Sequence, residues 1–147
     1  MKLSGRAGLR ATAIGVISGL LFGATAAQAE DGRLYELRTY YAAPGKFEAL
    51  QSRFRDHTIR LFARHGITNV AYWTRVDDSS DGALIYVLSY PDMQAREASW
   101  AAFRADPEWK AAHAASEVNG KLTVKQESVF MKAADYSPAI AVSGAVQ

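Results

Sequence analysis

The chain has 147 residues, 49% of them apolar and 22% charged, with no cysteine and a formal net charge of +2. This composition excludes an intrinsically disordered chain, a disulfide-stapled miniprotein, a thiolate metal site, a cysteine nucleophile and a lipid-anchored cysteine lipoprotein. At the start of the chain Lys2, Arg6 and Arg10 precede an apolar run over 11–24, and Ala27-Gln28-Ala29 has the small-x-small form of an export cleavage site. Residues 1–29 therefore read as a signal peptide rather than a spanning helix. The run falls short of the roughly 18 residues a span needs, and Gly15, Gly19 and Gly23 interrupt it. What remains is 118 residues with 14 basic and 15 acidic side chains, a net charge of −1. A near-neutral domain is expected, periplasmic or secreted, without membrane attachment after cleavage and without the basic surface that nucleic acid requires.

One domain is expected over 30–138, followed by a flexible tail over 139–147. Leu34 to Tyr41 alternates as a strand and ends at Pro44-Gly45. A helix follows from about Lys46 to His65, because Phe47, Leu50, Phe54, His57 and Leu61 repeat at the spacing of one buried stripe. Arg53, Arg55, Arg60 and Arg64 read as its solvated side, and Gly66 as the left-handed residue that closes it. Two strands, Asn69–Val76 and Ala83–Tyr90, flank the acidic loop 77–82, which is short enough for a hairpin. After Pro91 a helix runs to Asp106-Pro107, where Asp106 is placed to cap a second helical segment and Pro107 fits its first position. Leu122–Met131 supplies the last strand.

The order strand, helix, strand, strand, helix, strand predicts an α+β, ferredoxin-like βαββαβ fold: a four-stranded antiparallel sheet with both helices on one face. Such a sheet has one uncovered side. Tyr40, Trp73, Ile85, Val87 and Phe130 are apolar residues that alternation allows on either face, and a second copy packed sheet to sheet predicts a homodimer, a dimeric α/β barrel.

Tyr35-Glu36-Leu37-Arg38-Thr39-Tyr40, Pro44-Gly45-Lys46, Tyr72-Trp73 and the run from Trp100-Ala101-Ala102-Phe103 through Asp106-Pro107-Glu108-Trp109 together resemble the NIPSNAP family. The resemblance covers about residues 33–131, and Asp135-Tyr136-Ser137-Pro138 is similar to the ending of bacterial members. It implies the same dimeric barrel of two ferredoxin-like halves and carries no established reaction. Related barrels include cofactor-independent monooxygenases and haem-degrading enzymes, so oxidative chemistry, with haem as a cofactor, enters by fold analogy alone.

His57 is the candidate catalytic residue, because the helical spacing sets an ionisable ring on the stripe facing the sheet. There it serves either as a hydrogen-bonded core histidine or as a general base, proton donor or haem-iron ligand. Tyr72 is its candidate partner if its phenol faces the helices. Trp73, Tyr86, Trp100 and Trp109 are candidate ligand-binding residues for a small apolar or aromatic molecule, with packing as the alternative role. His65 and His113 read as structural. Glu36 and Arg38 share a strand face and are expected to pair, facing the partner sheet and fixing dimer register. No G-x-S-x-G elbow, phosphate loop, dinucleotide fingerprint or paired-histidine metal motif occurs, so no metal site is expected. Two readings stand: a ligand-binding dimer with oxidative chemistry, and a non-catalytic dimeric binding or interaction module.

Overall fold

A computed structural model describes residues 32–76 and 82–142. The expected signal peptide and most of the hairpin loop lie outside the described residues. Four strands, β1 (Leu34–Ala42), β2 (Thr68–Thr74), β3 (Ala83–Tyr90) and β4 (Thr123–Met131), form one sheet in the order β2-β3-β1-β4. All neighbours are antiparallel, with Leu37 opposite both Val87 and Val129. The helices α1 (Phe47–Arg53), α2 (Ile59–Arg64), α3 (Met93–Ala105) and α4 (Pro107–Ser116) cover one face, giving the ferredoxin-like α+β fold.

The local signals act where expected. Gly66 stands at φ +76° after α2, and Ile67 N–H reaches the Phe62 carbonyl at 3.0 Å, closing the helix end. Asp106 accepts hydrogen bonds from the backbone N–H of Glu108 (2.7 Å) and Trp109 (3.4 Å), with Pro107 at the first turn of α4.

Between α1 and α2 the first helical run contains a π-helical turn, Phe54–Thr58, and this turn changes which residues meet the sheet. Leu50, Phe54, Thr58 and Phe62 are buried at a constant spacing of four. In an undisturbed α-helix that spacing drifts by about 40° per step, and a wider turn absorbs the drift. The expected stripe is corrected accordingly. Thr58 takes the inward position, its hydroxyl donating to the Arg53 carbonyl at 3.2 Å, while His57 moves to the half-buried flank. Arg53, expected in solvent, is buried and pairs with Glu117 at 3.1 Å.

The helix-facing core is aromatic. Tyr40, Phe54, Phe62 and Tyr86 meet mostly edge to face at centroid distances of 5.1–6.4 Å. Tyr40 and Phe130 take the helix side, whereas Trp73, Ile85 and Val87 take the outer face. That outer face leaves Trp73 50% and Val129 54% exposed. One end of it is crossed by the chain after β4: Tyr35, Trp73 and Val87 line a cavity of about 480 Å³ with Tyr136, Pro138 and Ile140.

Candidate functional site

The floor of the helix-side cleft is built from alternate residues of β1. Glu36, Arg38 and Tyr40 point the same way, under α3, because side chains two apart share a sheet face. The expectation that Glu36 and Arg38 pair is met at 2.5 Å, but they face the helices rather than a partner sheet. The correction has a physical cause: the alternate residues Tyr35, Leu37, Thr39 and Tyr41 take the outer face of β1, which puts Glu36 and Arg38 under the helices.

Glu36 is fully buried and saturated. Arg96 of α3 binds it through Nε (3.1 Å) and Nη2 (2.9 Å), Ser128 of β4 donates at 2.6 Å and Tyr90 at 3.1 Å. Burial pushes the carboxyl up, but the Arg96 and Ser128 hydrogen bonds and the charges of Arg38 and Arg96 outweigh it and hold the pKa at about 2. Trp100 extends this network, its indole N–H donating to the Tyr90 hydroxyl at 2.8 Å.

Arg38 sits on that anchor with its guanidinium 4.6 Å from the centre of the Trp100 ring. Its Nε donates to the Tyr86 hydroxyl (3.0 Å) and its Nη2 to the Tyr40 hydroxyl (3.1 Å). Burial opposes its charge, yet the Tyr86, Tyr40 and Glu36 oxygens push its pKa upward, so Arg38 is cationic at every physiological pH. Above it opens a cleft of about 480 Å³ between β1, the first helical run and the α3–α4 pair. Phe54, Phe62, Trp100, Phe103 and Trp109 supply its apolar walls, and Arg53, Arg104, Lys110 and His113 join Arg38 as its basic groups. Trp109 packs on Phe103 at 4.4 Å, with Arg53 5.5 Å above its ring. A volume of this size suits a small organic molecule.

The structure divides the sequence-derived candidates. Trp100 and Trp109 line the cleft; Tyr86 lies fully buried beneath it, behind Arg38, Tyr40 and Phe54. Trp73 is on the opposite face of the sheet. Tyr72 does face the helices, but it stacks on Tyr86 (5.4 Å, 13°) and donates to Asn69 at 2.5 Å, beside a separate small cavity of about 190 Å³. Burial, with smaller contributions from Tyr90 and Tyr40, pushes its phenol up, so it stays neutral. His57 lines neither the cleft, nor the cavity beside Tyr136, nor the small one beside Tyr72, and makes no side-chain hydrogen bond among the described residues. His57 therefore does not fit the haem-ligand role considered for it; the histidine that does line the cleft is His113, which packs on the Trp109 ring. Among the described residues no cluster of three His, Cys, Asp or Glu side chains could hold a metal ion, and no helix is long and apolar enough to cross a membrane.

Arg38 and Arg53 were not among the sequence-derived site candidates. Arg38 stood two residues from Glu36 in a strand that alternation already marked, whereas nothing local marks Arg53, which meets Trp109 and Ser116 of α4 and Glu117 just after it. His65 is structural as expected, 2.6 Å from Asp106, and His113 packs on Trp109 at 5.3 Å.

The NIPSNAP family profile matches residues 35–138, the sheet and every helix described above. This chain belongs to the NIPSNAP family. Two solved structures from Burkholderia xenovorans are similar to it. One, an uncharacterized NIPSNAP domain protein, is 26% identical, with a TM-score of 0.61 over 71% of this chain and 98% of its own. The other, an uncharacterized NIPSNAP-like domain protein, is 18% identical, with a TM-score of 0.64 over 76% and 93%. A NIPSNAP family protein of unknown function from Agrobacterium tumefaciens is 23% identical, with a TM-score of 0.64 over 74% of this chain and 95% of that one. No curated protein matches the sequence. The NIPSNAP relatives share the fold, and their descriptions assign no activity.

Proposed function

We propose that this NIPSNAP domain is exported, forms a homodimer and binds a small, largely aromatic molecule in the cleft above Arg38. The observation that carries the reading is the cleft itself: about 480 Å³, walled by Trp100, Phe103 and Trp109, with Arg38 held on its floor by a saturated buried carboxylate. A fixed polar group under apolar walls is how small-ligand sites combine affinity with orientation. Dimerisation is supported by the outer sheet face, where Leu37, Val87 and Val129 form an apolar row and Trp73 stands half exposed.

The non-catalytic reading is favoured over the oxidative one by where the two catalytic candidates lie. His57, the candidate base, is absent from the cleft lining, and the phenol of Tyr72 is stacked away from it. Binding, transport or presentation of a ligand needs neither group. Native mass spectrometry of the protein purified from a periplasmic extract tests the whole proposal. A dimer of chains lacking residues 1–29 that releases a small molecule on activation is the expected result. An unprocessed chain, a monomer, or a dimer that carries and accepts no small molecule would remove the corresponding part.

A further inference from the structure

The walls of the cleft are aromatic, but its charges are all of one sign. Arg38, Arg53, Arg104 and Lys110 line it, and among the described residues none of its lining side chains is a carboxylate. Extending the count to the ion pairs behind the lining adds Arg96 and brings in only Glu36 and Glu117, leaving five cations against two carboxylates. In a mature domain of net charge −1 this concentration is local. Uncompensated like charges around a concave, partly apolar site repel one another, and an anion entering it relieves that repulsion.

The donors also have capacity to spare. Arg38 uses Nε, one N–H of Nη1 and one of Nη2 on Tyr86, Glu36 and Tyr40, which leaves one N–H on each terminal nitrogen. Arg53 is 95% buried, and its Nε is the one buried side-chain polar atom without a hydrogen-bond partner among the described residues. Arg104 makes no ion pair among the described residues and lies only over the Trp100 ring, 5.8 Å from its centre. Resting on the ligand-cleft reading above, we infer that the molecule the cleft takes is an aromatic carboxylate. Its ring lies between the walls formed by Trp100, Phe103 and Trp109, and its anionic group is received by Arg38 with Arg104 and Lys110 at the mouth. Guanidinium groups match a carboxylate in both charge and planarity, and charge-assisted hydrogen bonds are the strong ones.

Isothermal titration of the mature chain with 2-naphthoate and with 2-naphthylmethanol tests this inference, because the two probes share a ring and differ in charge. At low ionic strength the carboxylate is expected to bind at least about tenfold more tightly, with the preference shrinking as salt rises. Arg104→Gln with Lys110→Gln changes two exposed side chains, of which Arg104 meets the core only over the Trp100 ring, and is expected to reduce the preference for the carboxylate at least about threefold. A thermal melt checks that the variant is folded. Equal binding of the two probes by the wild type overturns the anion inference and leaves the ligand cleft standing; an undiminished preference in the double variant overturns the part given to Arg104 and Lys110. Failure of both probes to bind overturns the ligand cleft and this inference together.

Discussion

The buried carboxylate of Glu36 joins four elements, β1, β3, β4 and α3. Its pKa is held at about 2, below its ordinary 4.5, so the stabilisation is complete above pH 4.5 and is lost as the pH falls toward 2. The shift corresponds to about 3 kcal/mol. Glu36→Gln is expected to cost a similar amount, about 3–5 kcal/mol in urea unfolding at pH 7, because it strands Arg38 and Arg96 without their counter-charge. The variant's stability should also fall less steeply than the wild type's between pH 4.5 and 2, although Asp106 and Glu108, both held at about 2, leave some slope in that window. A variant with unchanged stability and an unchanged pH profile would mean that the buried network is not the anchor of the floor. At this scale the sequence showed what was local. Asp106, Pro107 and Gly66 act within their own turns and were legible. The partners of Glu36 lie 60 and 92 residues away at Arg96 and Ser128, and no spacing in β1 points to them.

Among the elements, the first helical run departs most from its sequence pattern. Phe47, Leu50, Phe54, His57 and Leu61 fit an ordinary α-helical stripe, and the amino-acid types alone cannot distinguish that from the observed run with its π-helical turn. The choice is made by tertiary packing. Phe54 must meet Tyr40 and Tyr86 while Phe62 meets Trp100 and Phe103, and the extra width of the turn aligns both sets. Deleting His57 restores a spacing of four, three and four along the buried positions, which a regular α-helix accommodates. The deletion is therefore expected to fold cooperatively with undiminished helical circular dichroism. Deleting Gln51 from α1 rotates Leu50 away from Phe54 by about 100° and is expected to abolish the cooperative melt. Equal damage from the two deletions would show that the π-helical turn has no special tolerance. The strands were more legible, since β3 begins and ends where its alternation does and β1, β2 and β4 differ by only a residue or two.

Taken as a whole, the domain has two apolar surfaces of different purpose on the two sides of one sheet. The outer side has Trp73 and Val129 exposed beside the apolar row of Leu37 and Val87, with Tyr41 and the Lys125–Glu127 pair farther along the same face. Trp73→Glu with Val129→Glu is expected to convert a dimer in light scattering into a monomer while preserving the melt of the individual domain, and persistence of the dimer would refute pairing through this face. The helix side holds the cleft, where the sequence located the aromatic walls but not the cations between them, because the charges of Arg38 and Arg53 gain meaning only from what surrounds them. The protein's three tryptophans sort these surfaces: Trp100 and Trp109 line the cleft, and Trp73 lies on the outer face. The most direct measurement is accordingly an ¹H–¹⁵N spectrum of the three indole N–H groups during titration with 2-naphthoate. Saturable movement of the Trp100 and Trp109 signals together, with Trp73 still, is the predicted result. Movement of Trp73 alone, or of none of the three, would contradict the cleft as the ligand site.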